Sequence, residues 1–548
     1  MRLNAMNTFS LFSILLALGH AARAETWNSN YGHSISHATS ICQQLHSQIP
    51  SRVAFDNTTN NGKLAAAYQE ATQRYNNAAN ADDVPACVLF PSCAEDVSAA
   101  FKLLHDAPDV PFALKSGGHD WNRGTSSTNG GVLISFRPYL NYTKASDDGL
   151  VAEIGPGARW QEVIPPLEAI NRTVVGGRYG DVGVGGYISR GGISYLCSQY
   201  GLASDSAIGF EMVLANGDIV MANKTSHPDL FWGMRGGSAL FGAITKVILE
   251  THPLGKIYAG TRTFYANQTE TVLGAAWEFL AGFKDPKAAI TLTFIQAGYI
   301  FGLNGTANWR IDFFYDGTDP GDVFDEFHSI PSVPTKAGVM DPVGINSYSK
   351  ILNTVDVPNF SNPSAGFVSS YPNLPKKEMV PFLQEHLERT LNMTSILNQE
   401  GEFAFLEVAF QTIPVAFHRA SYERGPAANT LDPNAGDAWW LDYTLAWANA
   451  KDDIRYTLAL KGVVDNGPLT MQARYPDLKP TNYHGAVGNE TQQLVGYSPL
   501  LATDAGVGQN VFLSYGDERY ERLKAIQKRY DPRGLFYTQT IPLDNRSE

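Results

Sequence analysis

Two short segments of this chain carry residues whose types and spacing could do chemistry. The first is Leu114-Lys115-Ser116-Gly117-Gly118-His119-Asp120-Trp121. An apolar stretch runs into a Ser-Gly-Gly turn and then presents a histidine; the glycines allow positive φ and close approach of backbone to a ligand. The second is Gly176–Gly192, GGRYGDVGVGGYISRGG, with eight glycines in 17 residues. Its amides could form a concave nest for a pyrophosphate, and the interleaved Val182, Val184 and Ile188 should pack inward. It does not fit G-x-G-x-x-G, because Ile188 occupies the last glycine position, and it lacks the Gly-Lys-Ser/Thr ending of a P-loop. No G-x-S-x-G elbow is present. Two histidines four apart, His33 and His37, lack an intervening glutamate and lie in a polar stretch, so no metal site is expected.

The elements that must position these segments alternate along the chain. CVLF (87–90), AEDVSAAFKLL (94–104), FALKS (112–116), GVLISF (131–136) and EMVLANGDIV (211–220) read as strands and one helix, with Asn216-Gly217 as a hairpin turn. From residue 255 the pattern becomes aromatic and alternating, as in FAFLEVAFQ (403–411) and WWLDYTLAW (439–447), which predicts an antiparallel sheet with one buried face. In the first of these, Phe403, Phe405, Glu407, Ala409 and Gln411 share one face. Leu406, Val408 and Phe410 share the other and should pack on helices. KKEMVPFLQEHLERTLN (376–392) predicts an amphipathic helix. So does 516–536, where Tyr520, Leu523, Ile526 and Tyr530 recur before Pro532 and Gly534. The alternation over 82–254 reads as an α+β or α/β unit, and with the antiparallel sheet that follows it the fold class taken for the whole chain is α+β. The expected divisions are a leader over 1–24, a partly helical segment over 25–80, a ligand-binding domain over 81–254, a sheet-and-helix domain over 255–500, and a segment over 501–548 returning to the first domain.

Composition bounds the rest. The chain has 548 residues, 44% hydrophobic, with net charge −13. An acidic chain without basic runs lacks the footprint of a nucleic-acid binder or a polybasic membrane patch. Arg2, the apolar run Leu11–Gly19 and Ala22-Arg23-Ala24 form a secretory signal pattern too short to span a membrane. Ten sequons, at Asn57, Asn141, Asn171, Asn223, Asn267, Asn304, Asn359, Asn392, Asn489 and Asn545, agree with secretion and predict a glycosylated surface. Of four cysteines, Cys42 could pair with Cys87 or Cys93 in an oxidising compartment.

Order and spacing make a family resemblance. The S-G-G-H turn precedes V-G-V-G-G (182–186) by about 65 residues. Then follow Y-G-L-A-S-D (200–205), D-L-F-W-G-M-R-G-G (229–237), F-G-A-I-T (241–245) and Y-G-D-E-R-Y-E-R-L…Y-D-P-R-G-L-F near the C-terminus. The set resembles the secreted fungal berberine-bridge-enzyme-like oxidases of the vanillyl-alcohol-oxidase flavoprotein superfamily, over nearly all of the chain. The resemblance implies a two-subdomain FAD-binding domain of the PCMH type and a substrate domain whose antiparallel sheet is covered by helices. It implies FAD bonded through His119 and cradled by Ser116, Gly117, Gly118, Asp181, Val182, Gly183, Gly185 and Gly186, with Gly242 and Ile244 approaching the adenine. Many relatives carry a second link from a cysteine three residues before the valine; that position is Tyr179, so no second link is expected. Cys197 does not match it and reads as a small buried residue.

The same resemblance implies an oxidase that passes hydride to the flavin and electrons to O2, with Val182 in the residue type of oxygen-using members. Gln411 stands where some relatives carry a catalytic glutamate and would bind substrate; Glu407, Tyr179 and Tyr187 are the further candidates for proton transfer. Trp121 replaces the family's tyrosine, and Thr503-Asp504-Ala505 replaces Asn-Asp-Ala. The expected substrate is a small aromatic or secondary metabolite oxidised at an alcohol, C–N or C–C site, by a secreted monomer that touches neither nucleic acid nor membrane. An oligosaccharide oxidase and a non-catalytic flavin-carrying protein are the alternatives.

Overall fold

The computed structural model describes residues 31–55, 63–298, 306–334, 342–354, 362–399, 401–478, 499–509 and 511–536. The expected leader and the sequons at Asn57, Asn304, Asn359, Asn489 and Asn545 lie outside them.

Three sheets position the site. The first has the order Val53–Ala54, Cys87–Leu89, Val132–Ser135, Phe112–Lys115, with the last three strands parallel. Parallel neighbours need a crossover, and helix Ala94–His105 supplies it between Cys87–Leu89 and Phe112–Lys115. These short strands are buried along nearly their whole length, as helix-covered parallel strands are. Helix Tyr31–Gln48 is tied to this sheet by a Cys42–Cys87 disulfide, Cα atoms 5.9 Å apart. Cys87 is thus the partner that the sequence left open, and Cys93 is a free, exposed thiol.

The second sheet runs Thr143–Ala145, Val151–Ile154, Ala243–Glu250, Ala207–Val213, Ile219–Asn223, all antiparallel. Asn216-Gly217 turns its last hairpin, with Gly217 at φ +86°.

The third is a seven-stranded antiparallel sheet: Gly344–Asn346, Ile257–Tyr265, Ala307–Tyr315, Ala288–Ala297, Phe403–Ile413, Ala438–Trp447, Ser364–Pro372. One face packs on helices Thr269–Ala281, Lys376–Gln399 and Asp453–Arg474 in a core that includes Leu406, Val408, Phe410, Trp439 and Trp447. The alternation read from FAFLEVAFQ holds from Phe405 onward. Phe403 departs from it: it is 1% exposed in the helix-side core, because a register shift between Phe403 and Phe405 inserts an extra residue and reverses its face. The opposite face carries Glu407 and Ala409 toward the other two sheets. Helix Asp517–Tyr530 buries Tyr520, Leu523 and Ile526, and Phe536 packs against Phe101 and Phe112 of the first sheet's core.

Candidate active site

The two glycine-rich segments lie backbone to backbone. A Cβ on Gly117 would stand 2.5 Å from the Gly183 nitrogen, and one on Gly183 would stand 2.2 Å from the Gly117 nitrogen. Ser116 Oγ joins them, donating to the Pro156 carbonyl at 2.5 Å and accepting from the Gly185 N–H at 3.3 Å. Gly118 takes φ +78° beneath the Arg74 carbonyl. The expectation that these glycines clear space for a dinucleotide needs correction. Gly176 and Gly177 lie on the Trp160 ring, Gly185 on Pro156, Gly191 on Asn429 and Gly192 on the Tyr187 ring. They clear space for protein. Gly186 is the exception in this group: a Cβ there meets no atom within 4 Å.

Gly186 opens into a cavity lined from all three sheets. Ser116, Gly117, Gly118, His119, Val182, Gly183, Gly185, Gly186, Gly242 and Ile244 all line it. Asp181 does not. Its carboxylate turns away into an ion-pair cluster, 2.5 Å from Arg74 and 3.3 Å from Arg159. Ser126 Oγ and Thr503 Oγ1 line the cavity, are buried and have no hydrogen-bond partner among the described residues. Unpartnered buried hydroxyls, an open glycine and a lining drawn from all three sheets fit a dinucleotide such as FAD. His119 sits where the first glycine turn meets the cavity, its Nδ1 3.4 Å from Asn76 Nδ2. Burial pushes its pKa down, so the ring is neutral and holds a lone pair at neutral pH.

The third sheet forms the facing wall. Register places Glu407 opposite Thr444, Ala409 opposite Asp442 and Gln411 opposite Thr291. Thr291, Glu407, Ala409, Asp442 and Thr444 line the cavity. Burial raises the Glu407 pKa. Burial, then the nearby charges of Asp504 and Glu407, raise that of Asp442, whose Oδ1 has no hydrogen-bond partner among the described residues. Asp504 is pushed up to about 6 by burial, against the pull of Arg178 and Arg190. Arg178 anchors this wall: its guanidinium donates to Gln411 Oε1 and, at 2.9 Å, to Thr291 Oγ1. Gln411 Nε2 donates to the carbonyls of Ile290 and Thr412, both at 3.2 Å. Gln411 is thereby occupied by protein and holds Arg178, rather than facing the cavity as substrate binding would need.

Tyr179 lines the cavity, with its hydroxyl 3.5 Å from Glu407 Oε1. Tyr187 also lines it, but its hydroxyl donates to the Ile193 carbonyl at 2.5 Å and its ring meets Trp160 edge-on. Burial raises both phenols far above their ordinary range, so both stay protonated. Cys197 is 2% exposed in the apolar core, accepts from the Ser194 N–H at 3.0 Å, and has a thiol pushed up to about 12 by burial. Sequence reading passed over Arg178 and Asp442. The signal for Asp442 was present in WWLDYTLAW, where alternation puts Trp440, Asp442 and Thr444 on one face and five apolar residues on the other.

A family model described as "FAD binding domain" matches residues 85–223. An FAD-linked oxidoreductase of Arthroderma benhamiae is 39% identical, over 86% of this chain and 89% of that protein. An FAD-dependent monooxygenase of Arthrobotrys oligospora is 29% identical, over 82% of this chain and 80% of its own. The solved structure of Physcomitrella patens BBE-like 1 superposes with a TM-score of 0.66 at 16% identity, covering 92% of this chain and all of that one. The fold is that of the berberine-bridge-enzyme-like oxidases, and the chain belongs to the family of FAD-linked oxidoreductases.

Proposed function

We propose that the protein is a secreted FAD-dependent oxidase that dehydrogenates a small aromatic or secondary metabolite at an alcohol, C–N or C–C site. Two electrons and two protons leave the substrate and reappear as H2O2. FAD, bonded to His119, supplies the hydride acceptor when bound. The chain's own residues do the rest. Glu407 and Asp442 stand on the third sheet and line the same cavity as His119, and one of them accepts the substrate proton. Arg178, fixed by Gln411 and Thr291, holds compensating positive charge beside the Glu407–Asp442–Asp504 group. Tyr179 orients Glu407. The observation that carries this reading is geometric: Glu407 and Asp442 line the same cavity as His119, the open Gly186 and the unpartnered Ser126 and Thr503 hydroxyls. Support for secretion comes from the leader pattern, the Cys42–Cys87 bridge and sequons on exposed Asn171, Asn267 and Asn392.

Acid precipitation of the purified protein tests the cofactor: a yellow pellet is expected, and a colourless one in His119→Ala. Oxygen consumption with aromatic alcohols and amines tests the substrate. Turnover of cello- or xylo-oligosaccharides instead would make it a carbohydrate oxidase, and failure of every substrate to bleach the flavin anaerobically would make it a binding protein. Glu407→Gln or Asp442→Asn, whichever removes the base, is expected to lower kcat/KM by about 10²–10⁴ with flavin content unchanged. The monooxygenase named among the relatives favours a second reading, oxygen insertion. ¹⁸O2 separates the two: label in H2O2 supports the oxidase, label in the product the monooxygenase.

A further inference from the structure

Besides the Ser116 bonds to Pro156 and Gly185 and an ion pair of Asp120 with Arg190, the turn that presents His119 is held by residues 70–83, a stretch with no place in the chemistry so far. Lys115 Nζ donates to the carbonyls of Glu70, Ala71 and Arg74 at 3.2, 2.7 and 2.7 Å, where helix Lys63–Gln73 ends. Beyond that helix, three asparagines take the turn residue by residue. The Asn76 backbone N–H donates to the Gly118 carbonyl at 3.0 Å, and its side-chain amide faces His119 Nδ1 at 3.4 Å. Asn77 Nδ2 donates to the Trp121 carbonyl at 2.7 Å and to the Ser364 carbonyl of the third sheet at 2.9 Å. Asn80 Nδ2 reaches the Asp120 carbonyl at 3.4 Å, and its Oδ1 accepts from Gly124 N–H and Ser127 Oγ.

We propose that Asn76 is a positioning residue for the attachment of FAD to His119: its amide N–H, directed at Nδ1, selects the ring form whose lone pair is on Nδ1 and whose proton is on Nε2. Which ring nitrogen carries the proton is set by the hydrogen bond the imidazole makes. An amide NH2 can only donate, so in this orientation it is compatible with an Nδ1 lone pair and not with Nδ1–H. Until the flavin arrives, the Asn76 N–H rests on this lone pair and keeps the ring proton on Nε2; the flavin's 8α carbon then displaces the amide, and the freed pair forms the C–N bond. One hydrogen leaves that carbon and one leaves the imidazole as the bond forms. Two electrons and two protons pass to the isoalloxazine, and dioxygen removes them as H2O2. The inference rests on the covalent His119 link proposed above.

The test follows attachment rather than turnover. Protein made in flavin-depleted cells is mixed with FAD in air. Acid-stable flavin is then read over time by in-gel fluorescence, against total bound flavin by absorbance. Asn76→Asp is nearly isosteric and turns a donor into an acceptor that holds a proton on Nδ1. It is expected to bind FAD as the parent does and to attach it about tenfold more slowly, the worth of one hydrogen bond. Asn76→Ala should slow attachment too, and His119→Ala should bind FAD with none attached. Parental attachment rates in Asn76→Asp and Asn76→Ala would overturn the inference and leave the covalent link standing. A parent protein with no acid-stable flavin would overturn the link itself, and this inference with it. If Asn76→Ala is insoluble, Asn76→Asp alone decides.

Discussion

Gly183 and Gly186 stand three residues apart and answer to different neighbours. A Cβ on Gly183 would lie within 2.3 Å of both the Gly117 nitrogen and Ser116 Oγ, backbone and a bonded hydroxyl that cannot move aside; a Cβ on Gly186 would lie in open cavity. Gly183→Ala is therefore expected to destabilise the protein by about 3 kcal/mol or more. Gly186→Ala, in the short helix Val184–Ser189, is expected to leave the flavin-free protein as stable or up to about 1 kcal/mol more so, while weakening FAD uptake. Urea midpoints of the flavin-free variants, set beside flavin titrations, check both. Normal FAD uptake by Gly186→Ala would show that this glycine does not face the cofactor. Such a difference cannot be read from the sequence, where both are glycines in one V-G-V-G-G run; what each must accommodate is set by a segment about 65 residues away.

At the scale of elements, the sequence carried most where one periodicity governs a whole stretch. Helix Ala94–His105 and strands Phe112–Lys115 and Val132–Ser135 lie within one or two residues of their expected limits, because a buried apolar run bounded by turn residues admits few alternatives. Alternation put Glu407 on the cavity wall for the same reason. It failed at Phe403, where one inserted residue reverses the face, and bulges leave no mark in an apolar run. Helix Lys376–Gln399 shows another hidden item, a polar link inside an apolar contact: His386 is 2% exposed, with Nε2 2.6 Å from the Tyr443 hydroxyl. Burial, more than nearby Arg389, lowers its pKa to about 4. The unfolded chain takes up this proton as pH falls through about 6.5, the folded one near 4. The stability His386 contributes is thus complete above about 6.5 and is lost at about 1.4 kcal/mol per pH unit on the way down. His386→Leu removes that loss along with one hydrogen bond. It is expected to be about 1 kcal/mol less stable than the parent at pH 7 and more stable by pH 4.5, as measured by urea denaturation. A gap that stays constant across that range would mean that His386 titrates alike in both states.

Over the whole molecule, distant pieces of chain are fastened around the cavity. The Cys42–Cys87 bridge closes a separation of 45 residues, which in the chain-entropy model stabilises the fold by about 4 kcal/mol. Replacing both cysteines by serine is expected to lower the thermal midpoint, while Cys93→Ser, an exposed free thiol, leaves it unchanged; calorimetry with and without reductant checks both. The pairing itself was beyond the sequence, since Cys87 and Cys93 are six residues apart and only the strand Cys87–Leu89, running beside helix Tyr31–Gln48, decides between them. The asparagines that hold the histidine turn were equally silent, lying in a polar stretch with no period to mark them.

The bonds from Asn76, Asn77 and Asn80 to the His119 turn cross a boundary that domain matching draws at residue 85. A chimera that exchanges residues 85–223 between relatives would carry His119 and both glycine segments intact, yet would sever them from the asparagines and from the carbonyls that cage Lys115. Grafts between members of this family should therefore start upstream of residue 63, before helix Lys63–Gln73, so that the histidine travels with the segment that aims it.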